Sequence, residues 1–174
     1  MGKFSKFVLM PASIKFIIWF LISYLLLQLG YTLYLNAYNP NIDPASLFTA
    51  KALTWFFTDA SLREIAGEAK IQFLLQQIPI VNIKEACNGL SVAMSLLAFL
   101  IAYRGKWIDY VWVVPLSVFL LLVANIARLY ALVRIKQHYP AYFPFFHEYL
   151  FPSLLYVMAF GIMVWWVRKV SPSA

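Results

Sequence analysis

Long apolar runs, closed at their ends by basic residues, set the pattern of the chain. The first extends from Phe16 through Leu35 and is broken only by Ser23, Gln28, Gly30 and Thr32. At about 1.5 Å of helical rise per residue it covers roughly 30 Å, the thickness of a bilayer's hydrocarbon core. Leu90 to Tyr103 forms a shorter run closed by Arg104 and Lys106. A third extends from Ile108 to about Val133 with Pro115 near its start, and a fourth from Leu150 to Val167 ends in Arg168 and Lys169. Tyr, Trp and Phe gather at the run ends, as interfacial aromatics do. This pattern predicts an all-α, polytopic membrane bundle of about four transmembrane helices near 16–35, 90–103, 108–133 and 150–167. It also predicts a single membrane domain over 1–174 and a first segment that is an uncleaved anchor, since no small-residue cleavage site follows it.

The connecting loops, 36–87 and 134–149, fall on one side. In the larger, Asp43-Pro44-Ala45-Ser46 is a helix start, followed by Leu47, Ala50, Leu53, Thr54 and Phe57 at helical spacing. An amphipathic helix is expected there. Ile71, Phe73 and Leu75, then Ile78, Ile80 and Ile83 beyond Gln76-Gln77, suggest a small β-hairpin.

Composition agrees with a membrane setting. The chain is 63% hydrophobic and 12% charged, about half the charge of a soluble domain. The net charge of +7 is spread over helix ends rather than gathered on one face, which points to lipid anchoring and not to nucleic acid. Lys3, Lys6, Lys15, Arg104, Lys106, Arg168 and Lys169 share one side with Asp109, for a net +6. The other side nets +1, with Asp43, Asp59, Glu64, Glu68, Glu85 and Glu148 among its charges. The positive-inside rule then puts both termini in the cytoplasm. One cysteine excludes an internal disulfide and any multi-cysteine metal site, and no metal or cofactor is expected.

Span lengths bring three reactive side chains to one depth. Cys87 precedes the second run beside Glu85 and Asn88, with Asn88 the expected N-cap of the helix. Arg128 lies about 30 Å of helix beyond the start of the third run, one turn after Asn125 on the same face. His147 stands just before the fourth run and titrates near neutrality; His138 competes with it. A helix N-terminus would favour a thiolate at Cys87, although a lone cysteine in such a chain is commonly a buried apolar one. A guanidinium at the edge of a span marks a paired or functional site by default, and snorkelling explains Arg134 and Lys136 better.

At these residues the sequence resembles the exosortase/archaeosortase family, as a short bacterial exosortase. The resemblance rests on Glu85-Ala86-Cys87-Asn88-Gly89-Leu90-Ser91, Phe99 through Lys106, Asn125-Ile126-Ala127-Arg128, Tyr139-Pro140, and His147 followed by Phe151-Pro152. It covers the chain in detail from Glu85 onward. It implies a cysteine transpeptidase in which Cys87 is the nucleophile and Arg128 and His147 complete the catalytic set, with Glu85, Asn88 and Asn125 in support. It also implies a bacterial inner-membrane location with an extracytoplasmic site. The implied substrates are secreted proteins whose C-terminal sorting signal is a recognition motif, a hydrophobic helix and a basic cluster. A non-enzymatic four-helix assembly or transport subunit accounts equally well for hydrophobicity, charge and aromatics, and makes no demand on Cys87.

Overall fold

Apolar residues on every side of a helix leave lipid as its natural solvent. The first helix, α1 (Ala12–Tyr38), is of this kind, with Ser23 its one buried residue. The computed structural model describes residues 11–65, 67–103 and 105–170; Lys3, Lys6 and Arg104, counted above, lie outside the described residues. After α1 come α2 (Pro44–Thr54), a three-stranded sheet of β1 (Ala60–Glu64), β2 (Lys70–Leu75) and β3 (Ile78–Lys84), and a 3₁₀ turn Glu85–Cys87. Then follow α3 (Leu90–Ala102), α4 (Trp107–His138), short helical turns over 140–150, and α5 (Phe151–Val170).

The helical membrane fold expected from the sequence is present, with one change of length. Three helical stretches, Ala12–Tyr38, Trp107–His138 and Pro140–Val170, are long and apolar enough to cross a membrane. The 90–103 run is instead a shorter helix of 13 residues, roughly 20 Å long. Much of α3 is buried, including Val92, Ala93, Leu96, Ala98 and Leu100, so its neighbours shield it and it need not match the bilayer alone. The outward faces of α1, α4 and α5 carry Leu25, Leu26, Leu33, Trp112, Phe119, Val157 and Phe160, all exposed, as lipid contact requires.

One end of the bundle is closed by aromatic and polar contacts at the α3–α4 turn. Trp166 donates its indole N–H to the Tyr103 carbonyl at 2.9 Å, and the Gly105 N–H donates to the Tyr110 hydroxyl at 2.9 Å. Lys169 and Asp109 pair at 3.0 Å across α5 and α4. Phe16 of α1 packs edge-on to Phe99 and Tyr103. The start of α1, the end of α3, the start of α4 and the end of α5 therefore meet here, and the helices alternate in direction.

The opposite end carries the sheet and α2. Asp43 caps α2 through Oδ1, which accepts from the Ala45 and Ser46 N–H groups, both at 3.0 Å. The expected hairpin forms, with Gln76 (φ 50°) and Gln77 (φ 66°) both left-handed, the geometry of a two-residue I′ turn. A strand not foreseen, β1, extends it antiparallel along β2. The buried face of the sheet, Ile71, Phe73 and Ile83, joins Leu53 of α2 and Leu129, Leu132 and Val133 of α4 in one core. The sheet is thereby seated against the upper part of α4.

A Cβ on Gly105 would come within 2.5 Å of the Trp166 ring. Gly105→Ala is expected to cost about 1–3 kcal/mol by overpacking and to lower the thermal midpoint in detergent. Gly30→Ala and Gly161→Ala, where a Cβ meets nothing within 4 Å, should be neutral or mildly stabilising; equal losses at all three positions would contradict this packing.

Candidate active site at the sheet end

Cys87 ends the 3₁₀ turn that links β3 to α3, so a strand on one side and a helix on the other fix its backbone. Its carbonyl accepts from the Asn125 side-chain amide at 2.7 Å. Asn125 is fully buried, and this bond ties the head of α3 to the middle of α4. One turn farther on, Arg128 Nη1 donates to Asn125 Oδ1 at 3.5 Å. One amide thus touches both the cysteine backbone and the guanidinium.

Arg128 is only 8% exposed, and its Nε finds no hydrogen-bond acceptor. Among the described residues it has no carboxylate partner. A buried guanidinium with a donor to spare suits an anion that arrives or forms during use. Its charge acts on Cys87 and on His147 alike, so both lie within its electrostatic reach.

Cys87 is 4% exposed and belongs to the core cluster of sheet and α4. It also lines a cavity of about 430 Å³ that it shares with His147. Leu129 and Leu132 form the helical wall of this cavity, and Ile80, Val81, Asn82 and Lys84 of β3 form the opposite one. Phe143 lines it too, stacked on the His147 ring at 5.4 Å between centroids. Lys136 sits 4.8 Å from the Phe143 centroid, which steadies the ring that in turn orients the imidazole. His147 itself lies in a π-helical turn, Phe146–Leu150, a geometry common at functional positions.

The candidate residues therefore separate. Cys87 and His147 share the cavity; Arg128 lies outside its lining and reaches both through its charge, with Asn125 linking it to the Cys87 backbone. His138 is exposed and does not line the cavity. Glu85 turns elsewhere: its charge bears on Tyr31 of α1 rather than on the cavity. Asn88 is not the N-cap of α3, a place taken by Gly89 at φ 77°. Its Oδ1 accepts from the Leu90 N–H at 2.9 Å, and its Nδ2 donates to the Tyr31 hydroxyl and Ser46 Oγ, each at 3.2 Å. It pins the turn to α1 and α2. Phe143, Lys84 and Lys70 also line the cavity and carry no motif that would single them out in the sequence.

Gly89 is held doubly, by its left-handed φ and by the Asn125 side chain, 3.3 Å from where a Cβ would stand. Gly89→Ala and Asn125→Ala are each expected to destabilise the protein by about 1–3 kcal/mol, the first through strain and the second by orphaning the Cys87 carbonyl. Denaturant unfolding in micelles measures both; wild-type stability in Asn125→Ala would show that the bond does not hold the turn.

The family model for transmembrane exosortases matches residues 7–167 of the 174-residue chain. No curated protein and no solved structure matches it. The chain belongs to the transmembrane exosortase family.

Proposed function

We propose that this member of the transmembrane exosortase family is a cysteine transpeptidase that cleaves the C-terminal sorting tail of secreted proteins and passes them to an acceptor. The observation that carries the reading is the shared cavity of Cys87 and His147, with the charge of Arg128 acting on both. In this mechanism the Cys87 thiolate attacks the scissile carbonyl, and the tetrahedral oxyanion collapses to an acyl-enzyme as the amine of the tail departs. His147 hands that amine its proton. Arg128, permanently charged, holds the thiolate and then the oxyanion, which gives its unpaired Nε a partner at the moment charge develops. A nucleophilic acceptor then attacks the thioester and gives its proton to the now neutral His147, and Cys87 leaves as thiolate.

Depth supports the same reading. The site stands where Asn125 and Arg128 meet the head of α3, roughly 30 Å of helix from the start of α4. A tail anchored by one hydrophobic helix holds its cleavage point at that boundary. The basic residues Lys15, Lys106, Arg168 and Lys169 lie at the opposite end of the helices, which supports a cytoplasmic α3–α4 turn and an extracytoplasmic sheet. Both termini are then cytoplasmic, in the inner membrane of a bacterium.

Burial of Cys87 within an apolar cluster favours a second reading, a non-enzymatic bundle with an inert cysteine. The two separate on processing of a tagged secreted protein that bears such a tail, followed in cells. Cys87→Ala should abolish cleavage. His147→Ala should lower it by about 10²–10⁴-fold and Arg128→Lys by about 10²-fold or more, while His138→Ala processes normally. Cleavage that persists in Cys87→Ala would end the transpeptidase reading.

A further inference from the structure

β3 is an edge strand. It pairs with β2 on one side only, and among the described residues no hydrogen bond from elsewhere reaches its backbone on the other. Pro79 within it agrees, since proline is tolerated in sheets at edges. Ile80, Val81, Asn82 and Lys84 all line the cavity of Cys87 and His147. Successive residues of a strand face opposite ways, so a lining that takes in both Val81 and Asn82 points to a space that reaches the strand's free edge. The catalytic cavity is thus a slot bordered by unpaired strand backbone.

The slot is also cationic. Lys84 and Lys70 sit directly opposite each other in the β2–β3 ladder, and with Lys136 they line the cavity. Lys70 pairs with Glu68, but Lys84 and Lys136 have no carboxylate partner among the described residues. Like charges facing each other across a ladder weaken it; an incoming acid would offset that.

We propose that the substrate's segment ahead of the scissile bond binds as an added strand on the free edge of β3, and that Lys84 and Lys136 select an acidic side chain on it. This rests on the transpeptidase reading and specifies how that site holds its substrate. The direction follows from the fold. Ile78 and Ile80 share a cavity with Arg134 and Gln137 near the end of α4, whereas Cys87 is bonded to Asn125. β3 therefore descends along α4 toward the site. A tail whose membrane helix follows its cleavage point descends the same way, so the added strand runs parallel to β3.

The test uses the full chain in nanodiscs and peptidyl chloromethyl ketones that alkylate Cys87, with adduct formation followed by intact mass. One set of probes carries glutamate or glutamine scanned through the four residues before the ketone; a second is N-methylated at single peptide bonds. Glutamate at one position should speed alkylation about tenfold over glutamine, as a charge-assisted contact implies. In Lys84→Gln/Lys136→Gln that ratio should fall to about one. In the wild type, N-methylation should slow labelling at alternate bonds only, the signature of strand addition, and this arm stands even where the double variant fails to fold. Equal rates for glutamate and glutamine, or N-methyl effects without alternation, overturn the docking proposal while leaving a reactive Cys87. No labelling by any probe or by iodoacetamide overturns the nucleophile itself. Loss of the glutamate preference only in nanodiscs rich in phosphatidylglycerol would assign the lysines to lipid headgroups and contradict the proposal.

Discussion

The hydrogen bond from the Asn125 amide to the Cys87 carbonyl is the contact on which the rest of the site depends. It joins the top of a short buried helix to the middle of a long one. Without it the 3₁₀ turn would have no fixed height on α4, and neither would the sulfur. The same amide oxygen meets Arg128, so the bond also sets where the guanidinium stands relative to the cysteine. Gly89 is required because a side chain there would press on Asn125. Asn88 secures the turn from the other flank through Tyr31 and Ser46. In Cys87-Asn88-Gly89 the two residues after the cysteine hold its backbone in place, as the proposed nucleophile requires.

The short length of α3 has a consequence for depth. A helix long enough to span would carry Cys87 out toward the end of α4, into the aqueous loops. With 13 residues, α3 ends where α4 still has more than three turns to go. The sheet and α2 fill the space above and pack on Leu129, Leu132 and Val133. The cavity of Cys87 and His147 lies between β3 and this part of α4.

Much of this was legible in the sequence, for stated reasons. Apolar periodicity located the long helices because lipid imposes a length on them. Asp43-Pro44 marked α2 because a carboxylate acceptor and a proline are what a helix start uses. Gln76-Gln77 divided the hairpin although neither residue favours a left-handed turn, since the flanking isoleucines fixed the register. β1 escaped notice because Ala60–Glu64 has little alternation of its own and becomes a strand by pairing with β2. The short second run counts as a span in the sequence on apolarity and basic flanks alone, because an apolar run does not reveal whether neighbours will cover it. Residue chemistry left His138 and His147 level; stacking on Phe143 and the common cavity separate them. Lys136 fits an ordinary interfacial cation in the sequence and Lys84 carries no motif there; only the fold sets them around one slot.

Proximity of the sulfur and the position-147 side chain is the central claim, and cysteine cross-linking measures it directly. In His147→Cys the new thiol and Cys87 should be joined by a short bismaleimide in intact membranes, and peptide mass spectrometry should recover the linked pair. His138→Cys, an equal change on an exposed residue, should give none. Cross-links that form from position 138, or fail from position 147 while both thiols label singly, would contradict the account.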